Sequence, residues 1–487
     1  MSGKITRRAL IQGAVLTVPA ALLAACEPRV ETIEKEVTRV IQGTPQVVKE
    51  TVVVEKTVAP RDVKVQIMWR TQPAENELID EWLNDFMTKF PHIKMEKVIV
   101  PWEQFETKLM ALYAAGTAPD IYGTGGTNPY VERFYRGMVT VLDELVAREG
   151  NLLEQMWPVA VKSYTIQNKL IGLSFSVVPG GTYYNATHFE KAGLNLPPVD
   201  WKSNAWTWDE MVDVAKQLVL DRDGDGKIDQ WGVVCYEGAW EMVRGYGVDL
   251  VSDEDYQTGL CHGWVETQEV KDALVDSMQK QYDLVYTHKV TPDADTMTTL
   301  YQVGDIMKTG AMGMVVGGAW TLWGDLPRDY KFGSAPFPII GRPPKGNRGK
   351  NCWVEPIQIS SQARHIEEAW TFAKYMLADT DAINLSLKHR ETCPALKGAL
   401  PLYIKATAGR QVMSEADAET YNVGALEDAT VTSCWHILVG WAKIYDAYAN
   451  LWSDAVTGKK TPREAADAMY LAVKEVALKN LQELGLE

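Results

Sequence analysis

From Val63 onward the hydrophobic positions keep a regular period. Val63, Val65, Ile67 and Trp69 alternate with polar or flexible neighbours, the period of a strand with one face buried. Leu78, Trp82, Leu83, Phe86 and Phe90 then recur at helical spacing and stop before Pro91, which cannot donate the next helical hydrogen bond. The stretch "IKMEKVIV" (93–100) predicts a second strand, and Phe105, Leu109 and Leu112 predict a second amphipathic helix ending near Gly116. "DIYG" (120–123) opens a third strand. The order βαβαβ predicts an α/β fold with a mostly parallel sheet flanked by helices, whose ligands sit beyond the carboxyl ends of the strands. Trp69 and the loop Thr124-Gly125-Gly126-Thr127-Asn128 fall at that edge and make Trp69, Thr124 and Asn128 candidate contacts. The alternative for Trp69 is a place in the core at a strand end. Gly123-Thr124-Gly125-Gly126 lacks the third glycine of a dinucleotide fingerprint, so a phosphate cradle is a weak reading.

Upstream of Val63 the pattern is different. Residues 27–62 are built from Val, Thr, Glu and Lys with almost no large apolar side chain, which predicts a flexible linker. As a coil of about 36 residues it would span on the order of 35 Å. The run Val30, Ile33, Val37 and Val40 is too short to hold helices together. Residues 1–25 carry Arg7 and Arg8, an apolar stretch shorter than the roughly 20 residues that span a bilayer, and small residues before Cys26; they predict a signal peptide. Leu23-Ala24-Ala25-Cys26 resembles a bacterial lipobox, which implies lipidation of Cys26 and a membrane held through that lipid. Arg7-Arg8 resembles a twin-arginine signal, so export runs by that route or the general secretory one.

At 487 residues the chain is too long for one compact core and suits two lobes. A formal net charge of −15 leaves no basic footprint and excludes nucleic acid as the natural partner. Seventeen tryptophans against nine phenylalanines favour broad flat faces that also carry a donor, which suit sugar rings. The six cysteines lack metal or redox spacing. Apart from Cys26 they allow at most two disulfides, with buried thiols as the alternative. Neither G-x-S-x-G nor H-E-x-x-H occurs and the histidines are scattered, so an enzyme acting on polysaccharide is a distant alternative.

"DRDGDGKIDQWG" (221–232) places Asp221, Asp223, Asp225, the Lys227 carbonyl and Asp229 at positions 1, 3, 5, 7 and 9 of a calcium loop. Position 12 is Gly232 instead of the bidentate Glu, and a strand follows instead of a second helix, so this is no EF-hand switch. It predicts a structural helix-to-strand turn holding calcium, the alternative being a metal-free turn whose Asp side chains cap backbone amides. No cofactor is expected for function itself.

"LIGLSFSVVPGGTYYNATHFEKAGL" (170–194) and "WTWDEMVDVAKQLVLDRDGDGKIDQWG" (206–232) resemble the family 1 extracellular solute-binding proteins of ABC importers. So do "TKLMALYAAGTAPDIYG" (107–123), "GDIMKTGAMGMVVGGAW" (304–320), "HIEEAWTFAKYMLADTDA" (365–382) and "AVTGKKTPREAADAM" (455–469). The resemblance implies a two-lobed, periplasmic-binding-protein-like clam over 63–487, with lobe 1 at about 63–174 and 354–403 and lobe 2 at about 175–353 and 404–487. It implies a monomer that closes on a carbohydrate between its lobes and presents it to the transmembrane subunits of an ABC permease, with no bond made or broken. It points to Trp320, at the end of "VVGGAW", as the stacking residue and to Tyr184 as a cleft tyrosine, with Tyr183 facing the opposite way if the segment is a strand. Trp353 in "NCWVEP" and Trp435 in "SCWHI" are further aromatic candidates, and Glu355 and Arg390 could bond hydroxyls or an acidic group or else form salt bridges. A polyol, sugar phosphate or peptide in the same clam is the alternative to sugar.

Overall fold

The structure is a computed structural model and describes residues 30–39, 48–57, 61–71, 73–123, 130–236, 238–341, 348, 351–427 and 437–486. In the stretch predicted to be a flexible linker, β1 (Val30–Arg39) and β2 (Val48–Thr57) pair antiparallel, from Val30 opposite Thr57 to Arg39 opposite Val48. The Val- and Thr-rich composition that lacks core-forming side chains is also the composition that strands favour, and the coil reading missed that half of the argument.

The predicted βαβαβ unit is present. β3 (Val63–Thr71) runs parallel to β4 (Ile93–Pro101) and to β5 (Ile121–Tyr122), with the helices Pro73–Lys89 and Phe105–Ala114 between them. A small hairpin, β6 (Thr165–Ile166) with β7 (Lys169–Leu170), leads into β8 (Leu173–Asn185), whose 13 residues are all buried. β9 (Trp231–Cys235) lies parallel to β10 (Met312–Gly318). β11 (Phe332–Ala335), β12 (Cys352–Ile359) and β13 (Cys393–Pro394) all pair antiparallel with β8.

One sheet path therefore runs β4-β3-β5-β12-β8-β10-β9. It is mixed where a mostly parallel sheet was expected, because the strands that cross between lobes run against the parallel units on either side. Within β8 the neighbours change: Leu173–Pro179 pair with β12, and Gly180–Tyr184 pair with β10. The buried core changes at the same place, Val177 belonging to the cluster around Trp69, Trp82 and Phe372, and Val178 to the one around Met312 and Trp323. Each core is built from the apolar faces of its own helices, so the fold reads as two lobes joined by continuous strands.

Candidate functional site

Strand β10 ends in Gly317 and Gly318, and the next residues, Ala319–Leu322, form a single 3-10 turn carrying Trp320. The Trp320 ring lies across Gly318: a β-carbon there would sit 2.0 Å from its Cζ3, so no other residue allows this seat. Trp320 remains 37% exposed and meets the ring of Trp353 edge-to-face, centroids 4.5 Å apart at 72°. Trp353 comes from β12, where it faces Val178 of β8. Two predicted candidates are thus brought together where the two lobes share strands. Tyr236, immediately after β9, packs against the Gly317 side of the same strand end and is 41% exposed. Its hydroxyl meets that of Tyr301, on the helix Ala294–Val303, which is 48% exposed. Such half-covered indole and phenol rings present an apolar face and a polar edge, the chemistry that stacks on a pyranose and bonds its hydroxyls.

Glu355 and Arg390 lie beneath this surface in a buried ionic cluster. Arg70 donates to both Glu75 oxygens at 2.7 Å and to Glu355 Oε1 at 2.9 Å; Arg390 pairs with Glu75 at 3.1 Å and with Glu355 Oε2. Ser176 Oγ donates to Glu355 Oε2 at 3.0 Å, and the Arg390 guanidinium stacks on the ring of Trp323 at 4.5 Å. Burial alone would raise the Glu75 carboxyl, but Arg70 and Arg390 hold it below the usual carboxylate range. Removing one partner from such a cluster leaves a buried charge uncompensated, at a cost of roughly 3–5 kcal/mol. These two candidates are charge-paired with each other and with Glu75 and Arg70, although the Arg390 nitrogens make no well-directed hydrogen bond, and they form the frame under the aromatic surface.

Trp69, Tyr183 and Tyr184 are fully buried. Trp69 packs with Trp82 and Phe175 in the first core, which is the alternative its strand-end position left open. The Tyr183 hydroxyl donates to Pro179 O, and Tyr184 packs on Phe189. The two tyrosines do point to opposite faces of β8, but both faces are covered, so neither presents its ring to solvent. Thr124, Asn128, Trp435 and Cys26 lie outside the described residues. Sequence reading missed Tyr236, Tyr301 and Trp102. Trp102 follows β4 directly and stacks under Arg70 at 5.3 Å. The signal for Tyr236 and Trp102 was available: each is the first aromatic residue past the carboxyl end of a parallel strand.

The loop 221–229 is closed by a bridge between Leu220 and Gln230 and joins the helix Trp208–Leu218 to β9, as its pattern predicted. Carboxylate oxygens of Asp221, Asp223 and Asp225 lie within 4.8 Å of one another. Asp221 accepts the N–H groups of Gly224 and Gly226 at 2.7 and 2.9 Å, Asp223 that of Asp225, and Asp225 that of Lys227. Asp229 instead accepts from the Arg222 N–H at 2.7 Å, and the Lys227 ammonium reaches Asp225. Three of the five predicted ligands therefore cluster. Cys261 and Cys393 are free thiols, and burial pushes Cys261 and Cys352 up to about 12.

Comparison with known proteins agrees with this architecture. The Listeria monocytogenes ABC substrate-binding protein Lmo0181, solved with cycloalternan, superposes with a TM-score of 0.66 at 19% identity, covering 87% of this chain and 99% of that one. Maltose-bound MalE3 of T. maritima gives 0.64 at 19%, covering 85% and 99%. The cyclic alpha-maltosyl-1,6-maltose binding protein of Arthrobacter globiformis gives 0.63 at 21%, covering 86% and 99%. An inferred binding protein of Brucella abortus is 23% identical over 389 residues, 77% of this chain and 84% of its own length. These likenesses establish the two-domain solute-binding fold. Residues 70–383 match the family model described as bacterial extracellular solute-binding protein, and with well over half of its length matched this chain belongs to that family.

Proposed function

We propose that this protein is a lipid-tethered receptor for a sugar or oligosaccharide, which it holds between its lobes and delivers to the permease of an ABC importer. The observation that carries the reading is the exposed Trp320 ring, seated over Gly318 and braced by Trp353 where the two lobes share strands. Proteins of the same fold solved with cycloalternan and maltose support the ligand class. A neutral sugar is favoured over a sugar phosphate because the buried cations beneath the rings, Arg70 and Arg390, are already matched by Glu75 and Glu355. The family places the chain outside the cytoplasm. Among the described residues no helix is long and apolar enough to cross a membrane, and the Cys26 lipid would hold the protein at one. The loop at Asp221, Asp223 and Asp225 takes a structural calcium ion in this reading.

A thermal-shift screen of mono- and oligosaccharides tests the proposal. A sugar at about 100 times its dissociation constant adds roughly 2.7 kcal/mol to the folded state, and Trp320→Ala removes most of that gain. A panel in which no saccharide stabilises the protein, or a variant that keeps the full shift, rejects the reading.

A further inference from the structure

The turn that carries Trp320 is gripped from outside its own strand. Three successive carbonyls after it are each held by a cation. Arg410 Nη2 donates to Leu322 O at 2.7 Å and to Gly324 O at 2.8 Å, and Lys308 Nζ donates to Trp323 O at 2.5 Å. The Gly324 N–H donates in turn to His389 O at 2.8 Å, and the Trp323 ring is buried under Arg390. Arg410 is itself fixed: its Nε donates to Glu391 Oε2 at 3.0 Å, and Gln411 holds the other Glu391 oxygen at 2.7 Å. Glu391 is buried and sits at φ +44°, a left-handed conformation that a non-glycine residue keeps only where its surroundings impose it.

A solvent-facing turn could leave these carbonyls to water. Here two long cationic side chains are instead immobilised on them, each giving up rotamer freedom to do so. What the arrangement fixes is the path of the chain directly after Trp320, and with it the indole plane. We infer that Arg410 and Lys308 are positioning residues for Trp320, and that the turn 388–391, which closes the helix Thr380–Arg390 of the first lobe, is the mount against which the stacking surface of the second lobe is set. Neither cation touches the ligand. Each acts by keeping the ring in its stacking orientation before the ligand arrives, so that little freedom is lost on binding. The inference rests on the proposed role of Trp320.

Because the effect exists without ligand, it can be read without ligand. The full chain is labelled with 5-fluorotryptophan, and the fluorine resonance of Trp320 is assigned by its loss in Trp320→Phe. The expected result is one narrow Trp320 line in the wild-type protein, a broadened or split line in Arg410→Gln and in Lys308→Met, and recovery of a narrow line in Lys308→Arg, which keeps the charge. If Arg410→Gln does not fold, the two Lys308 variants decide. A Trp320 line of unchanged width in the folded variants overturns the inference, whatever the protein binds. Failure of every saccharide to bind rejects the proposed function and leaves this measurement standing.

Discussion

At the scale of single residues, burial decides which polar and aromatic groups face a ligand and which serve the fold. The family resemblance points to Trp320 and to the tyrosine pair 183–184 alike, yet only Trp320 lies past its strand's end, where the sheet stops covering it. His188 illustrates the second class. It lies in the first turn of the helix Ala186–Ala192, buried beside the Tyr330 ring, and neither ring nitrogen has a hydrogen-bond partner. Burial first, then Arg222 and Lys191, push its pKa down to about 4. The fold therefore favours the neutral ring, while the unfolded chain binds a proton near pH 6.5. The stabilisation is fully present above about pH 6.5 and is lost as pH falls toward 4. Glu75, held below the usual carboxylate range, loses its contribution only at still lower pH. Melting temperatures recorded from pH 7 to pH 4 should fall more steeply for the wild-type protein than for His188→Gln; parallel curves would refute the assignment.

At the scale of elements, the sequence was most informative where local rules act alone. The helix Pro73–Lys89 and strands β3 and β4 follow from period and proline position, and the aspartate loop from its spacing. β8 was harder. Its direction and partners depend on strands more than 100 residues away, and its complete burial removes the alternation that would show which face is inward. The ionic cluster was illegible for the same reason: Arg70 and Glu355 are 285 positions apart, and only the fold makes them neighbours. The loop 221–229 carries a prediction of its own. Its aspartates accept loop amides, and Gly226 supplies the left-handed turn at φ +87°. Three clustered carboxylates still repel one another, and a bound cation would relieve that repulsion. Calcium should raise the melting temperature relative to chelator while leaving saccharide affinity within about twofold, because the loop sits at the start of β9 and the aromatic surface at its far end. Identical melting curves would exclude a bound ion.

At the scale of the whole molecule, the two lobes are not independent beads. β8 runs unbroken from one core to the other, and β12 beside it shifts register between Glu355 and Pro356, over the buried cluster of Arg70, Glu75 and Arg390. A bulge at that point gives the paired strands a place to bend, while the ionic cluster holds its first-lobe side rigid. In the proposed receptor, motion between lobes turns on few bonds, and a ligand that touches both sets the balance. Its leverage is limited to its difference in affinity for the two states: moving from 1% to 99% closed requires about 10⁴-fold tighter binding to the closed form. Aromatic stacking from the second lobe alone cannot supply that, since a contact made equally in both states shifts nothing. In the proposed receptor closure thus depends on groups that the first lobe adds, with the half-buried Trp102 at the carboxyl end of β4 the candidate. Small-angle scattering should show a smaller radius of gyration at saturating saccharide. Trp102→Ala should retain binding through Trp320, at roughly tenfold lower affinity for the loss of about 1.4 kcal/mol, but lose most of the contraction. An equal contraction in that variant would move the closing contact elsewhere in the first lobe.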